Sequence, residues 1–197
     1  MNKTATLIFL TISTAAVFRC SAPERPSASR FSSADKIISS AEAMLPTSPD
    51  AAVALLRDSQ KQCTDSTVRR YLESAMAKCY FYAYKDDSCL FYTAQVEEYC
   101  TRQDADKKDA DDILYLRGLN CNVRGICMQY SNERDSARLC FETAYNCFRK
   151  SSRKDRIADI CINISDIHLQ KGDFAEAAIW SGKAEQAADS LGQDSLK

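Results

Sequence analysis

The sequence predicts an all-α fold built from repeated helical hairpins, and three observations support that prediction. The 197-residue chain contains only five glycines and four prolines, and all four prolines lie before residue 50. Because glycine and proline are the residues that most disfavour a helix interior, long helices are permitted from Asp50 onward. Apolar residues recur there every three or four positions, which is the spacing of one face of an α-helix. The third observation is an internal repeat.

The repeat is the stretch from Arg124 to Ala144, which recurs forty residues later from Ile164 to Ala184. Aligning the two copies superimposes small residues, turn residues and alanines. The coinciding positions are Gly125 with Ser165, Asn132 with Gly172, Ala137 with Ala177 and Ala144 with Ala184. Each copy predicts two amphipathic helices joined by a tight turn, and such hairpins bury their apolar faces by stacking on one another.

Eight helices follow from the apolar spacing and from the residues that end helices. They are predicted at 33–45, 50–60, 66–84, about 89–99, 113–130, 135–148, 157–170 and 174–191. Pro46 ends the first helix, and Ser48 followed by Pro49 predicts the start of the second, as a capping hydroxyl and a first-turn proline. The polar residues 101–112 are predicted to form a solvated connection, with an acidic contact surface as the alternative. Residues 149–156 hold five basic side chains, and we interpret them as a loop rather than a phosphate site.

The first 20 residues are typical of an export signal: Lys3 precedes an apolar run from Thr4 to Phe18. That run is shorter than the roughly 20 residues that span a bilayer. Cys20 is a candidate for lipidation, although Phe18 and Arg19 stand where a lipoprotein signal has small residues. Ordinary cleavage after Ala16 and an uncleaved anchor are the alternatives. Residues 21–32 are predicted to be a flexible tether, 33–191 the helical domain and 192–197 a polar tail.

Ten cysteines in a chain that is predicted to be exported raise the question of disulfides. With Cys20 set aside nine remain, so at least one would stay unpaired. None forms a CxxC pair, and most lie where the helical pattern requires a small apolar residue. The sequence favours buried thiols that act as small hydrophobic side chains, and leaves one or more disulfides open. Zinc is the least favoured reading, because His168 is the only histidine and no ligand pair has the spacing of a metal site.

The charge balance and the lack of catalytic motifs narrow the function class. Twenty-six basic and 27 acidic side chains leave a net charge of −1, so no overall field attracts nucleic acid. The sequence has no glycine-rich phosphate loop, no HExxH and no serine elbow. His168 is predicted to have a structural, partly buried role. We therefore expect a protein that is not an enzyme and needs no cofactor or metal.

The repeated hairpins resemble the tetratricopeptide repeat family. The third hairpin matches its motif at Gly125, Met128, Asn132, Ala137, Phe141 and Ala144, and departs from it at Arg124. The fourth matches at Ile164, Ser165, His168, Gly172, Ala177 and Ala184, with Ser181 in place of an aromatic residue. The second matches at Met76, Ala77, Tyr80, Cys89, Thr93 and Val96, and the first only at Ala52 and Leu56. The resemblance implies a right-handed α-solenoid of about four antiparallel helical hairpins.

In that family the first helix of each hairpin forms a concave wall that binds a peptide or another protein. The resemblance places twelve residues of this chain on the wall. They are Tyr71, Ser74, Lys78 and Phe81; Leu119, Asn122, Ile126 and Gln129; and Asp159, Ile162, Asp166 and Leu169. Phe81 has aromatic neighbours at Tyr82 and Tyr84. These three side chains are either anchors for a peptide or packed against the preceding hairpin or a partner subunit.

The signal, the tether and the repeats together resemble exported repeat proteins of Bacteroides-type bacteria. The function that the sequence favours is an exported scaffold for protein binding, periplasmic or attached to a membrane through a lipid on Cys20. Longer members of that group continue to a transmembrane helix and a cytoplasmic regulator. A sensor or regulatory fragment of such a transcriptional regulator is therefore the first alternative, and an enzyme that uses the groove as its active site is the second.

Overall fold

A computed structural model describes residues 30–103 and 110–195 of the chain, and their side chains as far as residue 192. Every regular element within these ranges is an α-helix, so the all-α prediction is confirmed. The helices are α1 (Ser32–Met44), α2 (Pro49–Gln62), α3 (Ser66–Tyr82), α4 (Asp86–Gln103), α5 (Ala110–Tyr130), α6 (Arg134–Lys150), α7 (Ile157–Lys171) and α8 (Phe174–Ser195). Each begins and ends within about one helical turn of its prediction.

The export signal, Cys20 and most of the predicted tether lie outside the described residues, as does the middle of the polar connection. At the edge of the tether, Phe31 is fully buried. Its ring lies 4.4 Å from the ring of Tyr71, centroid to centroid. Arg30 Nε donates a hydrogen bond to Asp65 Oδ2 at 3.0 Å. The packed domain therefore includes residues 30–32.

Each helix packs against its neighbours in sequence, and α3 also packs against α1 and α5. Cap residues differ in part from the prediction. The Ser48 side chain makes no capping hydrogen bond at the start of α2, although Pro49 does occupy the first turn. Asp65, which the sequence analysis did not single out, caps α3 by accepting from the backbone N–H groups of Thr67 and Val68 at 2.8 and 3.0 Å.

Three hairpin turns, α3–α4, α5–α6 and α7–α8, have the same backbone geometry. Each contains one residue with positive φ: Tyr84 at 56°, Asn132 at 64° and Gly172 at 78°. In each, the next residue's N–H bonds to the carbonyl five residues earlier, at 2.9, 2.8 and 2.9 Å. This bond satisfies a carbonyl that a helix end would leave unpaired. Asn132 and Gly172 are therefore confirmed as equivalent turn residues.

The α5–α6 hairpin is held by two aromatic rings that lie directly on glycines. A Cβ atom added at Gly125 would lie 2.6 Å from Cε1 of Phe141, and one added at Gly118 would lie 2.7 Å from Cε1 of Phe148. Both phenylalanines are fully buried. The two helices therefore approach as closely as they do because these two positions have no side chain.

The predicted basic loop is a loop only from Ser151 to Arg156, because Arg149 and Lys150 are the last residues of α6. One of its arginines, Arg153, is not simply solvated. The Arg153 guanidinium lies 3.9 Å from the centre of the Tyr115 ring, and its Nη2 atom lies 3.5 Å from Asp35 Oδ1. Arg153 thus joins this loop to α1 and α5. The hydroxyl of the fully buried Tyr115 donates to Asp155 Oδ2 at 2.9 Å.

We expect the free energy of unfolding to fall at alkaline pH because of Tyr115. Burial and the nearby Asp155 carboxylate raise the pKa of Tyr115 to about 12, against about 10 in an unfolded chain. The raised pKa stabilises the fold fully below pH 10, and this contribution is lost as the pH rises toward 12. Urea unfolding at pH 8 and pH 11 should show the wild type losing about 1–1.5 kcal/mol more than Tyr115→Phe. An equal loss in both proteins would contradict this assignment.

Candidate functional site

Six of the twelve predicted wall residues line one cleft, which we call the central cleft. It lies between α1, α3, α5 and the start of α7. The predicted residues in it are Tyr71, Ser74, Lys78, Leu119, Asn122 and Asp159, and the others include Ile38, Glu42 and Arg156. Its volume is about 70 Å³. A single water molecule needs about 10–15 Å³ of such cavity volume. The central cleft therefore has room for the end of a side chain rather than for a whole small molecule.

The charges in the central cleft are paired. Lys78 Nζ lies 2.7 Å from Glu42 Oε1, and Arg156 Nη1 lies 3.5 Å from Asp159 Oδ2. The buried Tyr71 hydroxyl donates to Asp35 Oδ1 at 2.6 Å. Burial and this hydrogen bond raise the pKa of Tyr71, which extends the neutral form of the phenol to more alkaline pH. The central cleft therefore offers a balanced polar surface with no unpaired charge in its lining.

Four further wall residues line a second surface, at the end of the same face near the α3–α4 and α5–α6 turns. We call it the aromatic site, after Phe81, Tyr82, Tyr84 and Tyr130. A cavity of about 430 Å³ lies on one side of it, where the predicted residues are Phe81, Ile126, Gln129 and Asp166. A second cavity of about 310 Å³ lies on the other side and includes Tyr84 and Asp86. Phe81, Tyr82 and Tyr130 line both cavities.

The rings of the aromatic site are held edge to face around Phe81. Its centroid lies 4.9 Å from that of Tyr130 and 5.7 Å from that of Tyr82. Phe81 is half-buried, whereas Tyr82, Tyr130 and Tyr84 are 46%, 78% and 94% exposed. Phe81 therefore packs against Tyr130 of the following hairpin. The three exposed tyrosines therefore leave uncovered aromatic surface beside the two cavities.

Two predicted wall residues, Ile162 and Leu169, line neither surface. They lie on α7 and are 57% and 50% exposed. Sequence reasoning missed the contributions of α1, because the first hairpin matches the repeat too weakly to place its wall residues. It also missed Tyr130, although the spacing of four from Ile126 puts Tyr130 on the same face of α5.

The two wall surfaces are joined by hydrogen bonds between α5 and α7. Asn163 Nδ2 donates to Asn122 Oδ1 at 2.9 Å. Gln129 Nε2 donates to Asp166 Oδ2 at 2.5 Å. These polar contacts hold the wall residues of the two helices in a fixed relation to each other.

Candidate reactive groups lie apart from the wall surfaces. His168 is half-buried, as predicted, and its Nδ1 lies 3.2 Å from Asp173 Oδ2 across the α7–α8 turn. In the described ranges no three His, Cys, Asp or Glu side chains are grouped so that they could hold a metal ion.

No helix in the part of the chain that the structure describes is long and apolar enough to cross a bilayer.

Comparison of the chain with protein-family models, with curated proteins and with solved structures found no match.

Proposed function

We propose that this protein is a non-enzymatic scaffold that binds another protein or a peptide along one face of its helical repeats. The observation that carries the proposal is the continuity of that face. Ten of the twelve wall residues line just two neighbouring surfaces, the central cleft and the aromatic site. Elongated faces that combine a shallow polar cleft with exposed aromatic rings suit an extended peptide, since tyrosine provides large contact area at protein interfaces.

The proposed architecture is a right-handed α-solenoid of the tetratricopeptide type. Three features support it: the common geometry of the turns at Tyr84, Asn132 and Gly172, the packing of α3 on both α1 and α5, and the small residues at equivalent helix contacts. At the position that corresponds to Gly125, Ser165 donates a hydrogen bond to the Ala177 carbonyl at 2.8 Å. A row of first helices is the arrangement that gives such repeats a concave binding surface.

We further propose that the scaffold acts outside the cytosol. The support is the sequence of the first 20 residues, and lipidation of Cys20 would hold the wall near a membrane surface. The intact mass of the protein from membrane and soluble fractions tests this. A protein mass that begins at a diacylated or triacylated Cys20 supports attachment to the membrane. A mass from the soluble fraction that begins near Val17 contradicts membrane attachment.

Photo-crosslinking in the native cell tests the scaffold function. A benzophenone amino acid would replace Gln129 on the wall and, as the matched control, Leu139 on α6, which is 57% exposed. We expect a discrete crosslinked species from position 129 and none from position 139. Crosslinks from position 139 alone would contradict binding at the wall.

A further inference from the structure

The aromatic site differs from the central cleft in its charge. The charged residues that line its two cavities are Asp166 and Asp86, and neither cavity is lined by a described lysine or arginine. Asp166 Oδ2 accepts from Gln129 and from Gln170, the latter at 2.8 Å. Asp166 Oδ1 has no hydrogen-bond partner among the described residues. Asp86 makes no ion pair with any residue that the structure describes.

The rings of the site supply the second half of a cation-binding arrangement. The face of a tyrosine ring carries partial negative charge and attracts ammonium or guanidinium groups within about 6 Å. Within this fold such contacts already exist, since Lys183 Nζ lies 3.6 Å from the centre of the Trp180 ring. At the aromatic site Tyr82 and Tyr130 are exposed beside carboxylates, and no cation of the described lining occupies them.

We propose that the aromatic site binds an arginine or lysine side chain of the partner. The inference rests on the proposed scaffold function and states the chemistry of its ligand. The rings of Tyr82 and Tyr130 contact the stem and the cationic head of the side chain, while Asp166 neutralises its charge in the larger cavity. Asp86 adds negative charge in the neighbouring cavity. The central cleft, whose charges are paired, then accommodates the end of one neighbouring polar side chain of the same segment.

Two fluorescein-labelled peptides of one sequence test this inference, one with three arginines and the other with citrulline in their places. Citrulline keeps the shape of arginine and removes the charge. We expect fluorescence anisotropy to show saturable binding of the arginine peptide, at least about ten-fold tighter than that of the citrulline peptide. Tyr130→Ala and Asp166→Asn should each weaken binding about 3–10-fold. Asp189→Asn, an equal change of charge on the exposed side of α8, should leave it unchanged.

Three outcomes would overturn the cationic ligand: no binding of the arginine peptide, equal binding of both peptides, or equal weakening by Asp166→Asn and Asp189→Asn. A discrete crosslink from position 129 in these cases would leave the scaffold function standing with a ligand of other chemistry. If position 129 gives no crosslink, the scaffold function fails as well.

A separate observation concerns the link between α4 and α5. Cys89 Sγ and Cys127 Sγ lie 2.9 Å apart in the core. Both residues are buried, with 0% and 5% of their surface exposed. A disulfide bond is about 2.05 Å long, so the two sulfur atoms need to approach by less than about 1 Å. The helices that carry them already pack against each other.

We infer that Cys89 and Cys127 form a disulfide when the protein folds in an oxidising compartment. The oxidant is a disulfide, either a thiol–disulfide oxidoreductase or a small-molecule disulfide. One thiolate attacks a sulfur of the oxidant and releases its first thiol. The second cysteine then displaces the other thiol, so the cysteine pair loses two electrons and two protons and the oxidant gains them.

The timing of this step follows from burial. The hydrogen bond between the two thiols raises the pKa of Cys89 and lowers the pKa of Cys127. Both residues are buried in the packed core, where a disulfide oxidant cannot reach them. Because exchange requires contact between a thiolate and a sulfur of the oxidant, it is fastest before α4 and α5 close over the pair. The bond is therefore expected to form during folding.

Mass spectrometry after refolding with glutathione disulfide tests the inference. The full chain would be alkylated with iodoacetamide under denaturing conditions and then digested. We expect a crosslinked peptide that joins Cys89 to Cys127, while Cys79 and Cys161 carry the alkyl group. In Cys89→Ser, Cys127 should become fully alkylated. Alkylation of both cysteines in the wild type, or crosslinks of either to a third cysteine, would overturn the inference.

Discussion

Phe141→Ala is expected to lower the free energy of unfolding by about 3–5 kcal/mol, measured by urea denaturation. The Phe141 ring is fully buried and fills the space above Gly125, between α5 and α6. Its removal leaves a cavity that the backbone of two long helices cannot readily close. Phe174→Ala is the matched control, because Phe174 is 70% exposed, and it should change stability by less than about 0.5 kcal/mol.

A double-mutant cycle shows whether the glycine and the ring form one unit. Gly125→Ala alone should destabilise by about 1–3 kcal/mol, because its Cβ would lie 2.6 Å from Cε1 of Phe141. In the Phe141→Ala background the same change should stabilise, since the ring is gone and alanine favours a helix. Gly182→Ala has nothing within 4 Å of the added Cβ and should stabilise by about 0.5–1 kcal/mol. Equal effects of Gly125→Ala in both backgrounds would contradict this contact.

Arg70→Met is expected to cost about 3–5 kcal/mol, because it leaves the Glu73 carboxylate buried without its cation. The Glu73 side chain is only 5% exposed, and its Oε2 lies 2.5 Å from Arg70 Nη1. Its other oxygen accepts from Gln60 on α2 at 2.5 Å. Arg70 Nη1 also donates to Gln95 on α4 at 3.1 Å. This group of side chains therefore joins α2, α3 and α4, and thermal or urea unfolding measures its loss.

The control is Arg102→Met, which breaks an exposed ion pair with Glu98. The two side chains are 72% and 62% exposed, so the change should cost less than about 1 kcal/mol. Replacing both members of the buried pair, as Arg70→Met with Glu73→Leu, should recover most of the stability lost in Arg70→Met. A double variant as unstable as Arg70→Met would show that burial of the carboxylate is not the cause.

The helices were predictable from the sequence because their signals are local. Apolar spacing located all eight helices of the described residues, and the repeat located the equivalent turns at Asn132 and Gly172. Tyr84 could not be recognised in the same way, because its left-handed backbone is one that glycine or asparagine usually occupies. The cap of α3 at Asp65 follows a standard residue preference and could have been found.

Contacts between residues distant in the sequence were not predictable. The Arg153 side chain meets Asp35, which lies 118 residues earlier in the chain, and no local pattern indicates that pairing. Cys89 and Cys127 are 38 residues apart. Their positions in the helical pattern fit buried thiols as well as a disulfide. The wall residues came from the resemblance to the tetratricopeptide repeat family, but the contribution of α1 requires the packed structure.

The most direct test of the scaffold function is the dissociation constant of the crosslinked partner for three forms of the protein. These are the wild type, Tyr130→Ala and Leu139→Ala, both substitutions being of exposed side chains. We expect about 3–10-fold weaker binding by Tyr130→Ala, as for the arginine peptide, and unchanged binding by Leu139→Ala. Weaker binding by Leu139→Ala with no effect of Tyr130→Ala would place the partner on another face and contradict binding at the wall.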